Sequence, residues 1–121
     1  MNNLNKVLLI GRLTREPEVG KSVYGGAVAK LGFAVHNRRR NAVTGEWQET
    51  PVWLNLKAYS QEGGTGLAEE AGRLHRGEEV LVEGRLAMQG WTGPDRRRHT
   101  RLLVHVDAIG SSPRVFDKIK P

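Results

Sequence analysis

The chain has 121 residues, with 19 Lys and Arg against 13 Asp and Glu, a net charge of +6 and no cysteine. That length suits one domain built on a single core, and the basic balance, 13 of the 19 cations being Arg, favours a polyanionic partner because neutralised phosphates release their counterions. The same figures exclude a disulfide framework and a thiolate metal site, and no apolar run is long enough to cross a bilayer.

Val7 to Ile10 is a brief apolar stretch and charge resumes at Arg12, so the opening does not read as a secretory signal and a cytoplasmic place is expected. Lys6 to Leu13 reads as the first strand, with Gly11 marking a bulge or sharp bend. A turn-rich link, Thr14 to Glu18, and the turn signal Tyr24-Gly25-Gly26 follow. In Ala27 to His36, Ala29, Leu31, Phe33 and Val35 alternate inward, and Lys30, Gly32, Ala34 and His36 outward. Asn37 to Thr50 is polar, contains Arg38-Arg39-Arg40 and Thr44-Gly45, and reads as a long hairpin loop. The third strand is Val52 to Tyr59.

Gly63-Gly64-Thr65-Gly66 reads as a flexible surface loop. Leu67, Ala68, Ala71 and Leu74 then recur at helical spacing, with Thr65 as N-cap and Gly77 at the C-terminal stop. Glu79 to Gln89 is the fourth strand, with Val80, Val82, Leu86 and Met88 on one face and Gly84 as a bend. Trp91 to Arg98 reads as a basic turn. The fifth strand is about Thr100 to Ile109, with Leu102, Val104 and Val106 in phase. Residues 1–110 form the expected domain, and 111–121 a short flexible tail. Three strands, a helix and two strands, with glycines where curvature is needed, predict an all-β chain with one short helix: a five-stranded Greek-key barrel, the OB-fold.

The third strand carries the chemistry. A two-residue period points Leu54, Leu56 and Ala58 inward and puts Trp53, Asn55, Lys57 and Tyr59 on the other face. Two rings about 20 Å apart, at ~3.4 Å per residue, with an ammonium and an amide between them, match unpaired nucleic acid, whose bases all stack and whose every nucleotide carries a phosphate. Lys30 and Lys57 are point charges for the backbone. The arginine triplets Arg38-Arg39-Arg40 and Arg96-Arg97-Arg98, each near a tryptophan (Trp47 and Trp91), read as arms that gather phosphates, joined by Arg85 and Arg76. Glu83 reads as the structural partner of Arg85.

Catalysis finds no constellation. His36, His75, His99 and His105 show no metal-type pairing, Asp95, Asp107 and Asp117 lie far apart, and the glycine run lacks the Lys-Ser/Thr of a phosphate-binding loop. No enzyme activity, cofactor or metal is expected.

Leu4-Asn5-Lys6-Val7-Leu8-Leu9-Ile10-Gly11-Arg12-Leu13 with Pro17-Glu18-Val19, then Gly26-Ala27-Val28-Ala29, Thr44-Gly45-Glu46, Trp53, Leu67-Ala68-Glu69, Arg76-Gly77, and Val82-Glu83-Gly84-Arg85-Leu86 with Trp91, form a collinear set. On these residues the chain resembles the bacterial-type single-stranded DNA-binding proteins (SSB). The resemblance implies sequence-tolerant coating of single-stranded DNA in replication, recombination and repair. It implies stacking aromatics at Trp53, Tyr59 and Trp91, and basic contacts at Lys6 and Arg76. It also implies a homotetramer with the first strand as seam. Arg39 stands where some members place a further stacking Trp; a guanidinium also stacks, and Trp47 is the nearby ring. The tail, Ser111 to Pro121, lacks the acidic tip through which the family recruits replication and repair proteins. Two alternatives stay open: a dimeric OB-fold adaptor of the primosomal type, and single-stranded RNA binding.

Overall fold

The structure, a computed structural model, describes residues 3–61 and 66–111. In chain order it has β1 (Val7–Leu13), β2 (Glu18–Lys21), β3 (Ala27–Arg40), β4 (Trp47–Ser60), α1 (Leu67–Gly72), β5 (Glu79–Thr92) and β6 (Arg98–Ser111). Five strands close a barrel in the order β1-β5-β6-β4-β3 and back to β1. Its pairs are antiparallel except β4 with β6, where Leu56 runs parallel beside Val104. This is the expected OB-fold, with one addition: β2 pairs along β3, Glu18 opposite Lys30.

The inward rows read from the sequence form the core. Leu31 and Phe33, Leu56 and Ala58, Val80 and Val82, Val104 and Val106 are all buried there, and Val7, Leu9 and Leu54 pack against them. Removing these side chains from water is the main force holding the strands together. Ala68, Ala71 and Leu74 join the same core, so α1 plugs the barrel where it meets β3, β4 and β6.

A helix of six residues is far too short to be stable alone and depends on tertiary contacts. Gly66 is its N-cap and supplies no side-chain hydrogen bond. Ser60, buried at the end of β4, does so instead. Its Oγ accepts the Ala68 N–H at 2.7 Å and donates to Glu69 Oε2 at 2.8 Å. Ser60→Ala should therefore cost about 1 kcal/mol, the usual worth of a lost cap, read as a lower urea midpoint. An unchanged midpoint would show that the hydroxyl is dispensable. Thr65, the N-cap expected from the sequence, lies outside the described residues, as do Glu62 to Gly64 of the glycine loop and the tail beyond Ser111.

Several expectations need correction. Asn37 to Thr50 is not a long loop: β3 and β4 remain paired out to Arg40 opposite Trp47, leaving only residues 41–46 as the connection. Likewise β5 and β6 pair out to Thr92 opposite Arg98, so Trp91 and Arg98 are strand residues. Both hairpins project past the barrel end as two-stranded arms. For that reason Leu86, Met88 and Leu102, though in phase with the core, are 43%, 63% and 52% exposed. Ala34, read as outward, is buried because β1 crosses to pair there, Arg12 opposite Ala34. Gly84 does sit at a register irregularity, between Glu83 opposite Ala108 and Gly84 opposite Val106, which leaves Asp107 as the extra residue. Gly11 is a close approach rather than a bulge, since the pairing of β1 with β5 runs through it without a shift.

Candidate nucleic-acid interface

Strand register gathers the outward residues of four strands onto one continuous face. Trp53, Asn55, Lys57 and Tyr59 of β4 stand opposite Ala34, Gly32, Lys30 and Val28 of β3. Lys57 is also level with His105 of β6. In turn His105, Arg101 and His99 stand opposite Arg85, Gln89 and Trp91 of β5, with Leu103, which is buried, opposite Ala87 between them. The alternation in the sequence thus places Trp53, Asn55, Lys57 and Tyr59 as expected, and the antiparallel ladder brings Lys30, Arg85 and Trp91 to the same surface.

Trp53 is the most open ring in the centre of this face, 67% exposed. Tyr59 is half-buried, edge-on to Tyr24 at 6.2 Å and to His105 at 5.3 Å between centroids. Burial accordingly pushes the Tyr59 phenol above its ordinary pKa. Trp91 stacks on His99, with centroids 5.5 Å apart, and the Arg101 guanidinium lies 5.1 Å from its ring centre. His99 is itself held by Asp95, Nε2 to Oδ1 at 3.0 Å. That contact, with the Arg97 N–H, lowers the Asp95 carboxyl below the usual range.

Between the rings lies a concentration of positive charge. Arg15, Lys30, Lys57 and Arg101 line a dent of about 180 Å³ together with Asn55, Leu56 and Gln89. No carboxylate lines it. The Lys57 ammonium is pulled below the ordinary lysine range, first by partial burial and then by repulsion from Lys30 and Arg101. An anion placed there would offset that repulsion. Gly32 makes the arrangement sterically feasible. Any side chain there would meet the Arg15 guanidinium, 2.7 Å from Nη1.

The β3–β4 arm continues the face. Register puts His36, Arg38 and Arg40 on the same side as Trp47 and Trp53, and the Arg38 guanidinium lies 5.2 Å from the Trp47 ring centre. Arg39, opposite Gln48, has the other parity and belongs to the reverse side of the arm, away from those rings. The second triplet is also divided. Arg96, with φ of 62°, and Arg97 form the exposed turn, while Arg98 lies against Gly90, on the side away from Trp91.

Two expected cations are placed elsewhere. Lys6 pairs with Glu83, which raises its ammonium pKa, chiefly by hydrogen bonding. Glu83 is therefore not the partner of Arg85, whose Nη1 meets Asp107 Oδ1 at 2.9 Å. Arg76 sits in the turn after α1, its N–H donated to Glu16 Oε1 at 3.0 Å, and lines neither the dent nor the Tyr59 cleft. Sequence reasoning missed Arg15, Tyr24, Arg101 and His105. Arg101 and His105 alternate with Leu102 and the core residues Val104 and Val106, so the period of two did contain them. Among the described residues no three of His, Asp or Glu are grouped to hold a metal ion, and no helix is long and apolar enough to cross a membrane.

Comparison with known proteins agrees with this geometry. Residues 4–112 match the Single-strand binding protein family. The chain is 40% identical over 106 residues to the single-stranded DNA-binding protein of Thermus aquaticus and 39% identical to that of Thermus thermophilus. These matches cover 88% of this chain but 36% of each relative, so the chain spans about a third of their length. Among solved structures, a Plasmodium falciparum SSB complex with ssDNA shares the fold with a TM-score of 0.75 at 23% identity, covering 91% of this chain and 94% of that one. A small single-stranded DNA-binding protein from Streptomyces coelicolor does so with a TM-score of 0.67 at 20% identity, covering 95% and 99%.

Proposed function

The chain belongs to the single-strand binding protein family, and on that premise we propose that its open face binds and coats single-stranded DNA with little regard to sequence. The observation that carries this reading is the four-cation dent without a carboxylate in its lining, set between exposed and half-exposed rings. Phosphates settle on Lys30, Lys57, Arg15 and Arg101, and bases stack on Trp53, Tyr59 and Trp91. Arg38, Arg40 and Trp47 extend the track along the β3–β4 arm, and Arg96 and Arg97 along the β5–β6 turn. Stacking reads a base's face and not its hydrogen-bonding edge, so sequence preference is weak. The role is binding rather than catalysis, in DNA replication, recombination and repair, at the nucleoid in the cytoplasm. The chain's similarity to the single-stranded DNA-binding proteins of two Thermus species favours DNA coating over the adaptor and RNA-binding alternatives.

Self-association belongs to the same proposal. Leu8 and Ile10 of β1 are 53% and 42% exposed, which supports a homotetramer that uses the outer side of β1 as its seam.

The test is tryptophan fluorescence titrated with oligo(dT) at two salt concentrations. Quenching is expected at low salt. The logarithm of affinity should fall with that of salt by about 0.7 for each phosphate neutralised. Lys57→Met should flatten that slope by about 0.7 and raise the unfolding midpoint of the free protein, since it removes a partly buried charge repelled by two neighbours. Unquenched emission at low salt would overturn the proposal.

A further inference from the structure

At one end of the face the β2–β3 turn folds back over Tyr59. Ser22 Oγ accepts the Tyr24 N–H at 3.1 Å, and Gly25 and Gly26 take φ of 84° and 73°, the left-handed region that glycine enters without strain. Gly26 packs against the carbonyl of Ser60 so closely that no Cβ would fit. The turn is thereby pinned to the end of β4. Tyr24, 85% exposed, is held beside Tyr59 by this backbone and not by burial. The result is a cleft of about 550 Å³ lined among others by Ser22, Tyr24, Tyr59, Gln61, Arg85 and His105.

We propose that this cleft receives one nucleotide of the bound strand and reads the edge of its base, adding a single base-selective position to an otherwise indifferent track. The proposal rests on the single-strand reading above and deepens it. The size lies within the range of small-molecule clefts. Tyr and His rings are among the side chains on which unstacked bases lie. A hydroxyl, an amide and an imidazole each donate and accept, so they can answer a base edge where the open Trp53 surface cannot. Burial, then Arg85 and Lys57, lower the His105 pKa, against a smaller opposing pull from Asp107. That shift favours the neutral ring, which carries one donor and one acceptor nitrogen. Asp107, the extra residue at the β6 irregularity, anchors the Arg85 guanidinium at the cleft, where it can meet the nucleotide's phosphate. Lys57 of the dent and His105 of the cleft are register neighbours, so the two sites stand side by side along the path of one strand.

The test compares affinities of the purified protein for oligo(dT), oligo(dC) and oligo(dA) of equal length, at one salt concentration, for the parent, Tyr24→Ala, His105→Ala and Val23→Ala. Val23 shares the turn, is 93% exposed and does not line the cleft. The parent is expected to rank the three oligomers with a spread of several-fold. Tyr24→Ala and His105→Ala should narrow that spread and weaken the best ligand by about 3- to 10-fold, against the 5-fold or more that one stacked base is worth. Val23→Ala should match the parent. If the parent binds all three oligomers and Tyr24→Ala keeps both the affinities and the spread, the cleft proposal is overturned while single-strand binding stands. A parent that binds none of them overturns both.

Discussion

Trp53→Ala should weaken binding of oligo(dT) by between about 5-fold and about 150-fold, the equivalent of the 1–3 kcal/mol that one stacked base contributes, and leave the stability of the free protein nearly unchanged. The two halves of that expectation have one cause. Trp53 is 67% exposed, so truncating it opens no cavity in the core, and substitutions at such sites usually change stability by less than about 0.5 kcal/mol. Among the described residues no ring or guanidinium lies over it, so a base meets an unoccupied face. Trp91 should behave differently. Its ring already carries His99 and has Arg101 close by, so a base there exchanges one stacking partner for another, and Trp91→Ala should cost less affinity. Tyr59→Ala should lower both stability and affinity, because the ring is half-buried against Tyr24 and His105. Anisotropy of a labelled oligonucleotide at fixed salt, beside urea midpoints, separates the three. A change of less than 2-fold for Trp53→Ala would remove the central ring from the proposed track.

The contrast among these rings shows which parts of the molecule were legible in the sequence. Trp53 was legible because Leu54, Leu56 and Ala58 alternate with it, and a strand with one buried face writes its period into the residue types. The β3–β4 arm was not. From His36 to Arg40 and Trp47 to Pro51 both sides meet solvent, apolar alternation lapses, and the pairing there rests on main-chain hydrogen bonds that any residue can make. Leu86, Met88 and Leu102 misled in the opposite sense. Their phase is that of the core, but periodicity gives a face and says nothing about where the barrel ends. Ser60 and Tyr24 depend on contacts fixed only when distant segments meet, a hydroxyl under α1 and a turn against β4. Chain order gave no local signal for either. The division of the arginine triplets is of a third kind. Consecutive strand residues must point to opposite sides, so three arginines in a row cannot serve one face, and this follows once the strand limits are known.

Gly11→Ala should cost about 3 kcal/mol or more, a large part of the 5–15 kcal/mol that holds a domain together. Around Gly11, β1 passes from pairing with β5 to pairing with β3, Arg12 opposite Glu79 on one side and Ala34 on the other. This crossing closes the barrel. A Cβ at residue 11 would overlap the Ala34 carbonyl oxygen and stand 2.7 Å from Phe33 Cζ. Neither neighbour can yield cheaply. The carbonyl belongs to the β3 ladder, and Phe33 is 1% exposed in the centre of the core, where interiors are packed to crystal density. Overpacking in such a place usually costs 1–3 kcal/mol and more when backbone must move. Gly20→Ala is the matched control. Residue 20 lies on the outer strand β2 with nothing within 4 Å of an added Cβ, so its urea midpoint should stay within about 0.5 kcal/mol of the parent. Gly11→Ala within 1 kcal/mol of the parent would mean that the seam yields easily. The consequence for binding follows from the same geometry. Ala34, whose carbonyl the methyl displaces, stands opposite Trp53 in the ladder. A loosened seam should therefore weaken oligonucleotide binding together with stability, where Trp53→Ala weakens binding alone.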